Sequence, residues 1–219
     1  MQAEVEDALR RIGWNGESIL GAGRTDAGVH ATGQVVAFDL DWKHGQAALL
    51  RAVNAMLPPT IAAKEVSEAA LDFHPRYAAR SRRYRYTIYN SAVRAPILAR
   101  YAWYLPPPEL SLTALNTASS RLVGRKDFAT FGTPPDEEGH TVRMLYEAVW
   151  KRTSEVWTFD IEADAFLYRM VRSIVGTLRR VGLGEMTPDE FADTLAAADR
   201  SRSGPPAPPN GLCLIEVKY

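Results

Sequence analysis

The chain has 219 residues, 46% of them hydrophobic, which suits one large or two small domains built around a real core. Lysine plus arginine and aspartate plus glutamate balance at 26 each, so net charge gives no sign of a polyanionic partner and only local clustering can. The single cysteine excludes a disulfide framework and a cysteine-built metal site and points to a reducing compartment, the cytoplasm. No run approaches the roughly 20 apolar residues of a membrane span, and the first residues do not read as a signal peptide.

Taken in order, Val5, Ala8, Leu9 and Ile12 repeat at helical spacing and predict a short helix, ended by Gly13 and the Asn15-Gly16 turn. A strand over 18–22 enters a glycine-rich run, G-A-G-R-T-D-A-G-V-H-A at 21–31, and a longer strand over 29–40 leaves it. Leu49, Ala52, Val53 and Met56 mark a second helix, stopped by Pro58-Pro59, and 61–66 reads as a strand. These first 70 residues give α-β-β-α-β, a ferredoxin-like pattern without its first strand.

A second unit begins at 73–90. Arg76, Arg80, Arg82, Arg83 and Arg85 fall within ten residues with no acid among them. Alternation puts Tyr84, Tyr86 and Ile88 on one strand face and Arg83, Arg85, Thr87 and Tyr89 on the other. Arginine beside aromatic rings suits RNA, since guanidinium groups take phosphates and ring faces take bases. An edge strand with a solvated basic face fits equally well. Residues 103–108 read as a turn or linker, Leu112, Leu115, Ser119 and Leu122 as a helix, and 124–140 as a long loop. Strands over 142–152 and 156–163 form a hairpin. A helix over 165–181 carries the core stripe Leu167, Met170, Val171, Ile174, Leu178 and Val181, with Arg169, Arg172 and Arg179 opposite. Thr187-Pro188-Asp189-Glu190 is a capping box that opens another helix. Residues 201–211 are a Pro/Gly/Ser-rich loop, and 212–219 is a final strand with Leu212 and Leu214 on one face and Cys213, Ile215 and Val217 on the other.

The glycine run is the most informative stretch. Gly21, Gly23 and Gly28 bracket one arginine, Arg24, and one aspartate, Asp26. Glycine permits positive φ and close backbone approach, so the run reads as a tight connection presenting a charged pair at the mouth of a sheet. A phosphate loop for a free nucleotide fits less well, because no G-x-x-x-x-G-K-[ST] is present. An aspartic protease fits less well still, because T-D-A-G occurs once and is not D-T-G.

Ordered motifs along nearly the whole chain resemble those of the tRNA pseudouridine synthase A family: G-R-T-D-A-G-V-H-A at 23–31, F-H-P-R at 73–76, R-R-Y-R-Y at 82–86, K-D-F at 126–128, F-L-Y-R-M-V-R-S-I-V-G at 166–176 and G-L-C-L-I-E-V at 211–217. The resemblance implies an α+β pseudouridine synthase fold of two ferredoxin- or RRM-like lobes sharing a mostly antiparallel sheet. Residues 1–70 would form the N-terminal lobe with the Asp26 loop, and 71–219 the C-terminal lobe. It implies a homodimer with a basic cleft between the lobes that takes tRNA. The implied activity is that of an isomerase, an intramolecular transferase that converts uridine to pseudouridine in the anticodon stem-loop (tRNA positions 38, 39 and 40), without metal or cofactor and away from membranes.

By the same resemblance Asp26 matches the catalytic aspartate, as nucleophile or as general base. Arg172 matches the arginine that pairs with it; a cation within about 4–6 Å favours the charged carboxylate. Tyr84 matches the tyrosine that packs on the target base, Arg24 an arginine that assists flipping and holds the phosphate backbone, and Leu212 an apolar residue of the uracil pocket, a role compatible with a place in the core. Arg76, Arg80, Arg82, Arg83, Arg169 and Arg179 are candidates for the RNA backbone, Arg169 and Arg179 alternatively for a solvated face. Relatives open with a strand and a Y-D-G…G-W-Q-type segment, whereas this sequence starts at Met1-Gln2 inside the motif that follows. The expectation is that the first strand of the N-terminal lobe is missing and that this form is less stable and less active than a longer one. A non-catalytic RNA-binding protein or tRNA chaperone of the same fold is the alternative.

Overall fold

The computed structural model describes residues 1–134 and 139–219. Residues 135–138, within the loop expected over 124–140, lie outside the described residues. In chain order the elements are α1 (Gln2–Arg11), β1 (Leu20–Gly21), β2 (His30–Ala31), β3 (Val36–Ala37), α2 (Gln46–Met56), β4 (Ser81–Asn90), β5 (Trp103–Leu105), α3 (Leu112–Ser120), β6 (Gly124–Asp127), β7 (Val142–Thr153), β8 (Val156–Ala163), α4 (Met170–Gly182), α5 (Pro188–Ala196) and β9 (Leu212–Lys218). The fold is mixed α+β, with mostly antiparallel strand pairing.

The chain divides into two compact units, one of residues 1–23 and 35–78, the other of 24–34 and 79–219. This departs from a simple split near residue 70. The Asp26 loop groups with the second unit because β2 pairs in parallel with β9, His30 opposite Cys213. A sheet common to two lobes was expected; the described strands instead form two sheets, β1–β3 within the first unit and a seven-stranded sheet within the second. The continuous strand expected over 29–40 is likewise broken into β2 and β3. At the break Thr32 and Gly33 donate to the Leu214 carbonyl, and Gly33 lies so close to the Ile215 carbonyl that no side chain would fit.

In the first unit, Leu9 of α1 and Leu49 and Val53 of α2 bury a small core with Trp14 and Ile19. The strand expected over 61–66 does not form. The backbone N–H and carbonyl of Ala63 are both taken by the Asn54 amide, at 2.8 and 2.9 Å, so a helix side chain satisfies the groups a strand would have used.

In the second unit the strand order is β2-β9-β4-β8-β7-β6, with β5 beside β4. Residues 103–105, expected in a turn or linker, are therefore a strand, parallel to β4 with Ile88 opposite Trp103. Residues 124–127, expected in the long loop, pair with β7, and Phe128 and Phe131 just beyond are fully buried. One sheet face carries Tyr84, Tyr86 and Ile88 of β4 and Trp157, Phe159 and Ile161 of β8 into the main core, where the apolar residues of α3 and α4 join them. Tyr89, expected on the solvated face, is buried against Tyr104, ring centroids 5.1 Å apart. A bulge skips Ile215 in the β4–β9 register, so Val217 falls on the core side and not with Cys213. Helix α4 begins at Met170, five residues later than expected, because Arg169 adopts a left-handed conformation (φ 59°) and Tyr168 bridges to Thr133.

Candidate active site

The glycine run folds as a tight turn in which Val29 N–H donates to the Asp26 carbonyl at 3.0 Å. Gly28 sits at φ +84°, the left-handed value required at the third position of such a turn, and a Cβ there would meet the Pro209 ring at 3.0 Å. Val29 is anchored in the main core below. The turn thus fixes the chain directly after Asp26.

Arg172, near the start of α4, faces this turn. Its Nη1 donates to Asp26 Oδ2 at 2.5 Å, across 146 positions of sequence, and the two side chains are only 14% and 19% exposed. Its Nε donates to the Ala207 carbonyl at 2.7 Å. Arg172 is therefore not part of a solvated helix face. The contact is charge-assisted and largely shielded from water, conditions under which such a bond is strong.

Tyr84 lies in the same region. Its ring is 9% exposed and meets Phe166 edge-on, centroids 5.0 Å apart. Burial pushes its hydroxyl up to about 12; Arg82 opposes this, and the Asp26 and Cys213 charges add to it. At neutral pH it is an uncharged ring with a proton to donate. Leu212, opposite Tyr86 in the β4–β9 register, is buried on the same sheet face as Tyr84. Asp26 and Arg172 are thus in contact, the Asp26 charge reaches Tyr84, and Leu212 shares the core face of Tyr84.

The other candidates separate. Arg24 is exposed, two residues before Asp26. Arg80 is exposed, and Arg82 donates to the Asp164 carbonyl at 2.8 Å. Arg83 pairs with Glu147 at 3.1 Å and stands 3.8 Å from the fully buried Asp160, which also accepts from Arg85 at 2.7 Å. Arg169 is exposed with its guanidinium 4.8 Å from the Tyr168 ring, Arg179 lies 3.9 Å from Glu185, and Arg76, in the first unit, lies 5.7 Å from the Tyr77 ring. Among the described residues no three His, Cys, Asp or Glu side chains converge as metal ligands would. Sequence reading missed Phe166 and the segment around Ala207. The first stood inside a quoted motif, whereas the second acts through backbone carbonyls, which leave no side-chain signal.

A family model described as tRNA pseudouridine synthase matches residues 118–219. The tRNA pseudouridine synthase A of Moorella thermoacetica is 42% identical over 221 residues, spanning 100% of this chain and 89% of its own length. That of Geobacter sulfurreducens is 39% identical over 219 residues, with 100% and 89% covered. That of Roseiflexus sp. is 42% identical over 224 residues, with 100% and 82% covered. The chain belongs to the tRNA pseudouridine synthase A family. The Asp26–Arg172 pair joins two of the motifs, G-R-T-D-A-G-V-H-A and F-L-Y-R-M-V-R-S-I-V-G.

Proposed function

We propose that this protein isomerises uridine to pseudouridine in the anticodon arm of tRNA, with Asp26 as the carboxylate that acts on the target nucleotide. The observation that carries the reading is the shielded Asp26–Arg172 pair, held on a turn whose sequence is the family signature. The reaction breaks the bond from uracil N1 to ribose C1′, turns the base, and joins C5 to the same carbon. The C5 proton leaves and N1 gains one, so no atom or electron is exchanged with a cofactor. A carboxylate suffices, adding to C1′ or taking a proton from the ribose. Arg172, bonded to Asp26 through Nη1, orients it. A uridine must leave its stack to be reached, and the Tyr84 ring offers about 1–3 kcal/mol of replacement stacking. Leu212 lines the apolar wall for the base, and the exposed Arg24 meets the phosphate backbone beside it.

The partners in this reading are tRNA and a second copy of the chain, the latter testable by sedimentation. Turnover requires no divalent metal, and it should persist on a prefolded stem-loop in excess chelator. The decisive experiment is tritium release from tRNA labelled at uridine C5. The wild type should release tritium, and Asp26→Asn should lose more than about 99% of the rate while still binding tRNA, because binding is spread over many cations. Activity within tenfold of wild type in the variant overturns the assignment. Tight tRNA binding with no release by the wild type would favour the non-catalytic alternative.

A further inference from the structure

The segment 204–211 contacts Arg172 and the turn that carries Asp26. The Ala207 carbonyl accepts from Arg172 Nε at 2.7 Å, and the Ala207 N–H donates to the Arg172 carbonyl at 2.9 Å. Two residues on, Pro209 packs against Gly28 of the Asp26 turn. The segment also lies directly on α4, where a Cβ on Gly204 would come within 3.2 Å of the Gly176 backbone.

Its sequence, P-P-A-P-P over 205–209, leaves Ala207 as the one residue in five with a backbone donor. Such a strap cannot be tied down by a ladder of its own N–H groups. Its ends are tied by the Gly204 N–H on Thr177 Oγ1 at 2.9 Å and by the Asn210 amide on the Ala99 and Ala102 carbonyls, and between them, beside the Ala207 N–H, it is held through its carbonyls by donors from elsewhere. The hydroxyl of Tyr86 supplies one, donating to the Pro208 carbonyl at 2.8 Å. The Tyr86 ring is fully buried beside Gly211, where a Cβ would meet it at 2.7 Å, and burial pushes the hydroxyl well up, so it remains a donor at any working pH.

We propose that Tyr86 is a positioning residue for the isomerisation: by holding the Pro208 carbonyl it fixes the strap whose preceding carbonyl, that of Ala207, aims the Arg172 guanidinium at Asp26. Tyr86 itself touches neither charged group with a hydrogen bond; it acts through the strap. The proposal rests on the catalytic assignment of Asp26 and Arg172 made above.

The test is Tyr86→Phe in the full chain, which keeps the ring and removes only the hydroxyl. Two readings are taken, tritium release under saturating tRNA and the solvent exchange of the Arg172 Nε–H followed by nitrogen NMR. The expected result is kcat down about tenfold with KM within about twofold, since small misplacements of a catalytic group are costly, and Nε–H exchange at least about tenfold faster as the Ala207 contact loosens. An unchanged exchange rate overturns the proposal whatever the activity. The exchange reading does not depend on turnover, so if Asp26→Asn proves fully active, the catalytic reading falls while the link from Tyr86 to Arg172 is still decided. Should Tyr86→Phe melt at a much lower temperature, Gly211→Ala, which displaces the same ring, is measured for the same exchange, and no change there likewise overturns it.

Discussion

Arg172 makes two contacts that a lysine could not make together. Its Nη1 reaches Asp26 while its Nε is held by the Ala207 carbonyl, so the fork is oriented by one nitrogen and used by another. An ammonium retains the charge without that rigid fork. Arg172→Lys should therefore lower kcat by about 10–100-fold, with tRNA affinity within about threefold, as judged by tritium release and filter binding. A loss of affinity equal to the loss of rate would place Arg172 in binding instead. At this scale the site was legible where chemistry resides in side chains. Asp26, Arg172 and Tyr84 each stood in a recognisable motif. Ala207 and Pro208 did not, because a carbonyl is common to every residue and only the folded chain says which one is aimed.

At the scale of elements, strands β4, β8 and β9 are laced on the face away from the core by buried acids. Glu162 of β8 accepts from Lys218 of β9 at 2.8 Å and from Ser81 of β4 at 2.7 Å. Burial works against its charge, yet the Lys218 and Ser81 hydrogen bonds outweigh it and hold its carboxyl below the usual value of 4.5. A folded-state pKa below the unfolded one stabilises the protein above about pH 4.5 and loses that stabilisation as pH falls through the folded value. Glu162→Gln should therefore lower the melting temperature by about 2–4 °C near neutrality, and the gap to wild type should close as pH falls toward 3. A gap independent of pH would show that packing, not charge, is responsible. The basic run of β4 was readable as RNA-facing or as a solvated edge. At Arg83 and Arg85 that run is also met from within the fold, because Asp160, on a strand distant in sequence, pairs with both. Long-range pairing also explains the strands that periodicity misplaced. The 61–66 segment has the residues of a strand but is satisfied by Asn54, and 103–105 looks like a linker until β4 lies beside it.

At the scale of the whole molecule, a chain with 26 basic and 26 acidic residues must take up a polyanion without any net attraction. The structure shows how this is possible: the charges are unequally committed. Arg83 and Arg85 are matched to Glu147 and Asp160, Arg121 to Asp189, Arg152 to Glu109 and Lys218 to Glu162. Arg169, by contrast, stands exposed over the Tyr168 ring, with no carboxylate within salt-bridge distance among the described residues. Cations already neutralised within the fold release few counterions on binding RNA, whereas uncommitted ones release theirs and steepen the salt dependence. Arg169→Gln should therefore weaken tRNA binding at low salt and reduce the slope of log K against log salt by about 0.7–0.9, the contribution of one phosphate contact. Arg83→Gln should leave that slope unchanged and instead lower the melting temperature, since it strands Glu147 and loosens the cover over Asp160. Fluorescence anisotropy across a salt series, with both variants measured beside the wild type, separates the two. If both variants lower the slope equally, the ion pairs of β4 open when tRNA binds, and the division between structural and RNA-facing arginines drawn from the unbound fold fails.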